Sequence, residues 1–129
     1  MIIARTRKDL NKTLQEFSQK PGKLALIPTM GNLHDGHLSL IKLAKLNAKK
    51  TITTIFVNPL QFGKNEDYYK YPRTEETDIQ KLTKEKCDIL FIPTNKNEVF
   101  PEYEKLKQIQ AGKLGNVRCG KIRQGHFNG

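Results

Sequence analysis

Residues 23–57 read KLALIPTMGNLHDGHLSLIKLAKLNAKKTITTIFV, and this stretch decides the fold. It opens with Lys23–Pro28, a short apolar run typical of a buried parallel strand. Apolar residues at helical spacing then predict a helix over residues 36–48. The β-branched run Thr51–Val57 predicts a second buried strand. Strand, helix and strand joined by short links indicate parallel strands with the helix packed on their sheet.

The flanking segments continue the same alternation. A short strand is predicted near residues 1–4, followed by a helix that Pro21-Gly22 stops. A further helix over residues 74–86 leads to a strand at Asp88–Pro93. The fold class is therefore α/β, a parallel sheet covered by helices. The predicted helix caps are Thr6, Asp35 and Thr74, and the helix residues predicted to face the core are Leu10, Leu14, Phe17, Leu40, Ile41, Ala44, Ala48, Ile79 and Leu82.

The carboxy-terminal part is less regular. One edge strand is predicted near Lys107–Gln110. The last ten residues, 120–129, contain no predicted terminal helix or strand that would tie the end down. We interpret them as a loop cut in its middle, and we expect residues 1–129 to be one incomplete domain: a truncated piece, a proteolytic fragment or one part of a longer protein.

Composition limits the partners without identifying one. The chain has 23 lysines and arginines against 13 acidic residues, a net charge of +10, which favours nucleotides, phosphorylated metabolites or nucleic acid. A generally lysine-rich surface would give the same balance. The aromatic and arginine-glycine patterns of RNA-binding modules are missing. The chain start is too soon charged for a secretory signal peptide, and no apolar stretch reaches the roughly 18–20 residues of a membrane span. We expect a cytoplasmic protein.

His34-Asp35-Gly36-His37 lies where the first buried strand turns into a helix. Ligands of open α/β sheets bind at this place, beyond the carboxyl ends of the strands. A helix start also suits a phosphate, through its backbone N–H groups and its dipole. The two histidines, three residues apart, would point to one side and could donate to a triphosphate. A chance surface pair, or two ligands of a metal ion, are alternatives; no third ligand stands nearby.

Two further groups could complete a site. Asn58 and Gln61 follow the adjacent strand, and their amides could hold a small polyol acid beside Phe62; an ordinary proline turn is the alternative. Arg123 and His126, near the chain end, could clamp an anion or could belong to a basic loop. Cys87 and Cys119 lack zinc-ligand spacing and are expected to be reduced.

Four segments together resemble the pantothenate synthetase (pantoate–β-alanine ligase) family. They are Pro28–His37, Asn58–Phe62, Tyr71–Thr74 and Arg123–Phe127. The resemblance implies a Rossmann-like domain related to that of class I aminoacyl-tRNA synthetases, with helices on both faces of the sheet and a smaller carboxy-terminal domain after it. It also implies a homodimer for the full-length protein. We further expect no nucleic-acid or membrane partner, from the missing RNA-binding patterns and the lack of a long apolar stretch.

The resemblance implies a two-step, magnesium-assisted reaction with ATP as a substrate. Pantoate attacks the α-phosphate of ATP to give pantoyl adenylate and pyrophosphate, and the amine of β-alanine then displaces AMP. His37 would be the proton donor, with His34 beside it at the phosphates. Gln61 and Asn58 would hold pantoate and β-alanine, and Arg123 and His126 would close the pantoate side. The residues implied to line the ATP site are Pro28, Thr29, Met30, Gly31, Asn32, Leu33, His34, Asp35, Gly36 and His37.

The chain also departs from the family pattern. Thr77-Asp78 stands where family members can carry two adjacent acids linked to magnesium, so we expect no protein-held metal. Asn128 replaces a common aspartate. The later Gly/Lys/Asp loop, second pantoate glutamine and Ser/Arg motif are absent, so the chain alone is expected to be nearly inactive. Another nucleotidylyltransferase of this fold, or a non-catalytic nucleotide- or RNA-binding module, remains the alternative.

Overall fold

The structure, a computed structural model, describes residues 1–18, 22–63, 68–102, 105, 111–117, 119–123 and 126–128. Its centre is a four-stranded parallel sheet in the order β1-β4-β3-β2. The predicted parallel α/β fold is confirmed. The strands are β1 (Ile2–Ala4), β2 (Leu24–Thr29), β3 (Lys50–Ile55) and β4 (Ile89–Phe91).

Within the described residues, three α-helices connect the strands and a short fourth α-helix follows. The chain crosses from β1 at one edge of the sheet to β2 at the other, then steps back through β3 to β4. Crossovers between parallel strands are right-handed, so this reversal places α1 on the face opposite α2 and α3. The helices are α1 (Arg7–Ser18), α2 (Asp35–Asn47), α3 (Glu75–Lys84) and α4 (Cys119–Ile122).

The main core lies between the sheet and the helices α2 and α3. Ile27 of β2 and Leu90 of β4 share a row of the sheet register and meet Ile41 and Leu82 from the two helices. The predictions for Ile41, Ala44, Ile79 and Leu82 are therefore confirmed. The prediction for Leu40 is wrong: its side chain is exposed, because Leu38 and Ile41 turn the packed face of α2 away from it.

Strand β2 differs from its predicted burial. It ends the sheet, and Leu24 and Leu26 are exposed on the face that α2 does not cover. The prediction of a buried strand was wrong because an apolar run does not distinguish a central strand from an edge strand. By contrast, Thr51, Ile52 and Thr53 of β3 are buried, as expected for a strand between two neighbours.

The helix caps follow the predictions in part. Thr6 caps α1, since its Oγ1 accepts from the Asp9 N–H at 3.1 Å. The N-cap of α2 is His34, not Asp35, because the His34 ring supplies the acceptor and Asp35 is already helical. Thr74 does occupy the N-cap position of α3, but its hydroxyl donates to Asp78 at 3.0 Å instead of capping the backbone.

The carboxy-terminal part contains short helical pieces. Two 3-10 turns, Gly112–Asn116 and His126–Asn128, flank α4, and the second contacts the turn Pro59–Gln61. The expectation that the last ten residues lack a helix was wrong, because these turns gain their support from tertiary contacts. The strand predicted near Lys107–Gln110 lies outside the described residues. None of the helices described is long and apolar enough to cross a membrane.

Candidate functional site

The candidate site begins with the loop between β2 and α2. Gly31 has φ +81° and Asn32 has φ +51°, so two successive residues adopt the left-handed conformation that turns the chain sharply. The Thr29 hydroxyl accepts from the Gly31 N–H at 3.2 Å and donates to the Thr54 carbonyl at 2.7 Å. The loop is thereby anchored to β3, and it lies at the carboxyl end of the sheet.

Helix α3 holds this loop from behind. The carboxylate of Asp78 accepts from the N–H groups of Asn32 and Leu33 at 2.9 and 2.8 Å. Lys81 donates from Nζ to the Leu33 carbonyl at 2.6 Å. The N–H groups of Asn32 and Leu33, which the sequence indicated as possible phosphate ligands, therefore already donate hydrogen bonds within the protein.

The two histidines at the start of α2 form a reciprocal cap. His34 Nδ1 accepts from the Gly36 N–H at 3.1 Å, and His37 Nδ1 accepts from the His34 N–H at 3.4 Å. Because a nitrogen that accepts carries no proton, each neutral ring must hold its proton on Nε2. The ring centroids are 4.2 Å apart. The loop therefore presents two adjacent Nε2–H donors.

The environment of His37 favours the neutral imidazole. Burial lowers the pKa of His37, and the nearby charge of His34 lowers it further, while the Asp78 carboxylate acts in the opposite direction. Protonation would also remove the Nδ1 lone pair that accepts from the His34 N–H. The His37 ring is thus kept as a neutral hydrogen-bond donor near pH 7.

The second strand end carries a polar turn. Asn58 is buried, and its side-chain oxygen accepts from the Leu60 N–H at 3.1 Å, so it caps the 3-10 turn Pro59–Gln61. His126 Nδ1 donates to the Gln61 carbonyl at 2.8 Å. Arg123 lies over the Phe62 ring, 5.7 Å from its centroid. The carboxy-terminal part thus folds back onto this turn and brings Arg123 and His126 to it.

A cleft of about 400 Å³ connects the two strand ends, which is within the usual range for small-molecule sites. Six of the predicted site residues line it, one of them His37. The other lining residues were not predicted as site residues; they come from β3, from the residue directly after it, and from the chain after β4. The lining residues are Pro28, Thr29, Met30, His37, Thr54, Phe56, Asn58, Gln61, Val99 and Phe100.

Other predicted residues lie near the cleft without lining it. The Leu33 side chain is packed in the core, so it is not available to a ligand. Gly31, Asn32, His34, Asp35 and Gly36 form the loop and the helix start next to His37, and none of them lines the cleft. The sequence reasoning also missed Asp78 as a support of the loop. The sequence did contain a sign of this role: Asp78 lies one helical turn before Leu82, which places an acidic residue on the predicted core-facing side of the helix.

The described residues do not fit a bound metal ion. They contain no group of three or more His, Cys, Asp or Glu side chains placed to hold one. Both oxygens of Asp78 already accept hydrogen bonds, and both histidine Nδ1 atoms do so too.

Comparison with known proteins identifies the family. The model of the Pantoate-beta-alanine ligase family matches residues 2–129. The chain belongs to this family. Pantothenate synthetase from Neisseria meningitidis serogroup B is 45% identical over 118 residues, which are 92% of this chain and 42% of the relative. The one from a Thermoanaerobacter species is 42% identical over 129 residues, 100% of this chain and 45% of the relative.

Solved structures of the family share the fold. The pantothenate synthetase of Thermus thermophilus aligns with a TM-score of 0.83 at 37% identity, over 99% of this chain and 44% of that protein. The Francisella tularensis ligase, complexed with Beta-gamma ATP and Beta-alanine, aligns with a TM-score of 0.88 at 40% identity, over 100% and 49%. The Rossmann-like fold is therefore confirmed, and the chain spans less than half the length of these relatives.

Proposed function

We propose that the protein carrying this chain is an ATP-dependent ligase that condenses pantoate with β-alanine through a pantoyl adenylate, and that this chain supplies its ATP-binding floor. The observation that carries the proposal is the cleft of about 400 Å³ that His37, Asn58 and Gln61 share. It combines donors suited to a phosphate with amides suited to a small polar acid. The family membership and the ATP complex of the Francisella relative support the same reaction.

In this mechanism the histidine pair faces the phosphates of ATP. The Nε2–H groups of His34 and His37 donate to the phosphate oxygens and stabilise the negative charge that develops on the leaving pyrophosphate. A pantoate carboxylate oxygen forms a bond to the α-phosphorus as the bond to pyrophosphate breaks. The resemblance implies that His37 is the proton donor to the leaving group; because its lowered pKa keeps the ring neutral near pH 7, we propose that it acts there by donating a hydrogen bond from Nε2. Met30 and the other loop residues shape the ATP site.

The second step uses the turn after β3. The β-alanine amine forms a bond to the pantoyl carbonyl carbon, the bond to the AMP oxygen breaks, and the amine loses a proton. Gln61, with Asn58 nearby, is proposed to hold both substrates, and Arg123 and His126 to close the pantoate side. We propose that magnesium enters with ATP, because the described residues offer no site for it.

Pyrophosphate release tests this proposal in the natural protein that carries the sequence. Release must need ATP and pantoate together, and AMP must appear only after β-alanine is added. Release with a phosphopantetheine or glycerol phosphate acceptor in place of pantoate would identify a different nucleotidylyltransferase. Salt-sensitive RNA binding without ATP binding would identify a binding module instead.

The role of His37 has its own test. His37→Ala is expected to reduce adenylate formation far more than pantoate binding, since the proposed interaction forms at the phosphates. Ser39→Ala is the matched control, because Ser39 lies in the same turn of α2 and donates to the Gly36 carbonyl. Equal losses of adenylate formation and pantoate binding would make His37 a residue that merely positions the substrate.

The remaining expectations belong to the same proposal. The protein is expected to act in the cytoplasm as a homodimer on pantoate, β-alanine and ATP, without a nucleic-acid or membrane partner. A mass measurement in solution at several concentrations tests the dimer. Incubating residues 1–129 alone with all substrates tests the expectation that they are nearly inactive.

A further inference from the structure

Asp78 is a buried acid, and both of its carboxylate oxygens accept hydrogen bonds, from two backbone N–H groups of the β2–α2 loop and from one hydroxyl. Its exposed fraction is 1%. Oδ1 accepts from Leu33 N–H at 2.8 Å, and Oδ2 accepts from Asn32 N–H at 2.9 Å and from the Thr74 hydroxyl at 3.0 Å. A buried carboxylate is costly unless such donors compensate it. This arrangement therefore holds the loop in one backbone conformation.

Lys81 binds the same loop through a backbone carbonyl, whereas Asp78 binds it through backbone N–H groups. It lies one helical turn after Asp78, and its ammonium donates to the Leu33 carbonyl at 2.6 Å. One rigid helix thus binds both the N–H and the C=O of Leu33. Gly31 completes the close approach, because a Cβ there would lie 3.2 Å from Asp78 Oδ2.

The sequence of the loop permits its sharp turn but does not by itself fix it. Gly31 and Asn32 both have positive φ, which glycine adopts freely and asparagine tolerates better than most residues. The loop runs directly into His34, whose ring caps α2 and packs against His37. A shift of the Asn32–Leu33 backbone would therefore move both Nε2–H donors.

We propose that Asp78 is a positioning residue of the ligase: it sets the backbone of Asn32–Leu33, and through it the direction of the histidine Nε2–H donors, without touching the ligand. The inference rests on the proposed function. We assign Asp78 hydrogen-bond acceptance and not metal binding, because its side chain is 1% exposed and accepts three hydrogen bonds within the protein.

The structure offers a matched control in Asp88. Its carboxylate also accepts from a backbone N–H and a threonine hydroxyl, both of Thr51, at 2.9 and 3.1 Å, and it pairs with Lys50 at 2.7 Å. Asp88 precedes β4, however, and so lies at the opposite end of the sheet from the histidines. Replacing Asp88 therefore removes similar hydrogen bonds without altering any contact of the loop that carries the histidines.

The test compares Asp78→Asn with Asp88→Asn in the natural protein. The asparagine at 78 places an NH₂ group against one backbone N–H, so the loop must shift. A displacement of about 1 Å at a reacting group costs on the order of 100-fold in rate. We therefore expect Asp78→Asn to lose about 10- to 100-fold in kcat for pyrophosphate release, with a smaller change in pantoate KM. Asp88→Asn should lose stability only.

A second readout does not depend on activity. In Asp78→Asn, amide hydrogen exchange at Asn32 and Leu33 should accelerate, while exchange in β3 should stay as in the wild type. Combining Asp78→Asn with His37→Ala should give a loss smaller than the product of the two single losses, because both act on one interaction.

Several outcomes would overturn the inference. Unchanged kcat in a folded Asp78→Asn protein would do so, as would equal kinetic losses in Asp88→Asn. Should Asp78→Asn not fold, Lys81→Met removes one contact from the other side of the loop, and unchanged kcat in that variant would count against the proposal equally. A wild-type protein without ATP binding refutes the proposed function; the exchange rates at Asn32 and Leu33 still report on the support itself.

Discussion

Replacing Gly31 with alanine would test how tightly the loop is packed against α3 and β3. Gly31 has φ +81°, and an added Cβ would lie 3.1 Å from Ile55 Cγ2 and 3.2 Å from Asp78 Oδ2. Both distances are shorter than an ordinary van der Waals contact. The substitution therefore adds a backbone cost and a crowding cost at the same point.

The expected loss of stability follows from these two costs. Left-handed backbone costs alanine about 1–2 kcal/mol. Crowding of a well-packed site adds on the order of 1 kcal/mol. Alanine also reduces the entropy of the unfolded chain, which returns about 0.4–1 kcal/mol. The net loss for Gly31→Ala should thus be roughly 1–2.6 kcal/mol.

Gly112→Ala separates the two costs. Gly112 has φ +60°, and a Cβ there would meet nothing within 4 Å. It should therefore show the backbone cost alone, about 1 kcal/mol less than the loss for Gly31→Ala. Urea unfolding of both variants measures the difference, provided that the slope against denaturant concentration stays the same.

The same variants report on the site. Moving the Gly31 backbone should weaken ATP binding about 10-fold or more, whereas Gly112→Ala should leave it unchanged. Titration of each folded variant with ATP measures this. A Gly31→Ala protein as stable as Gly112→Ala, with ATP affinity equal to that of the wild type, would refute the reasoning about the loop.

Three further predictions concern the core, the histidine pair and the surface. Leu82→Ala should cost about 2–5 kcal/mol in urea unfolding because Leu82 is fully buried, while Leu46→Ala, at a position 84% exposed, should stay within about 0.5 kcal/mol. Burial lowers the pKa of His37 in the folded protein. As pH falls, the imidazole is therefore protonated at a higher pH in the unfolded chain than in the folded protein. The stability that neutral His37 contributes should be present above about pH 6.5 and decline below it. Urea unfolding at pH 7.5 and 5.5 should therefore show a larger drop for the wild type than for His37→Gln, and equal drops would contradict this. Arg5 and Glu75 form a bidentate ion pair in which both side chains are 43% exposed. A double-mutant cycle should therefore give a coupling free energy below about 1 kcal/mol. A larger value would mean that solvent screens the pair less than its exposure indicates.

The sequence predicted the positions of the strands and helices well, but it predicted less well which of their side chains are buried. Periodicity located α2 to within a residue or so, yet it placed Leu40 in the core, because a helix wheel does not show how far the packed face extends. The run Lys23–Pro28 was correctly predicted as a strand and wrongly as a buried one. Its place at the end of the sheet depends on which strands pair, and pairing is a long-range property.

From the sequence alone we could predict the parallel α/β fold, the family, and the segments from which the site is built. Local rules suffice there, since strand and helix periodicity, proline and glycine stops and short motifs are all encoded by neighbouring residues. The contacts that these residues make with one another depend on the three-dimensional fold. It made His34 the cap of α2, fixed the protons of both histidines on Nε2, and placed Asp78 and Lys81 behind the loop. The last two relations join residues more than forty positions apart, so no local pattern contains them.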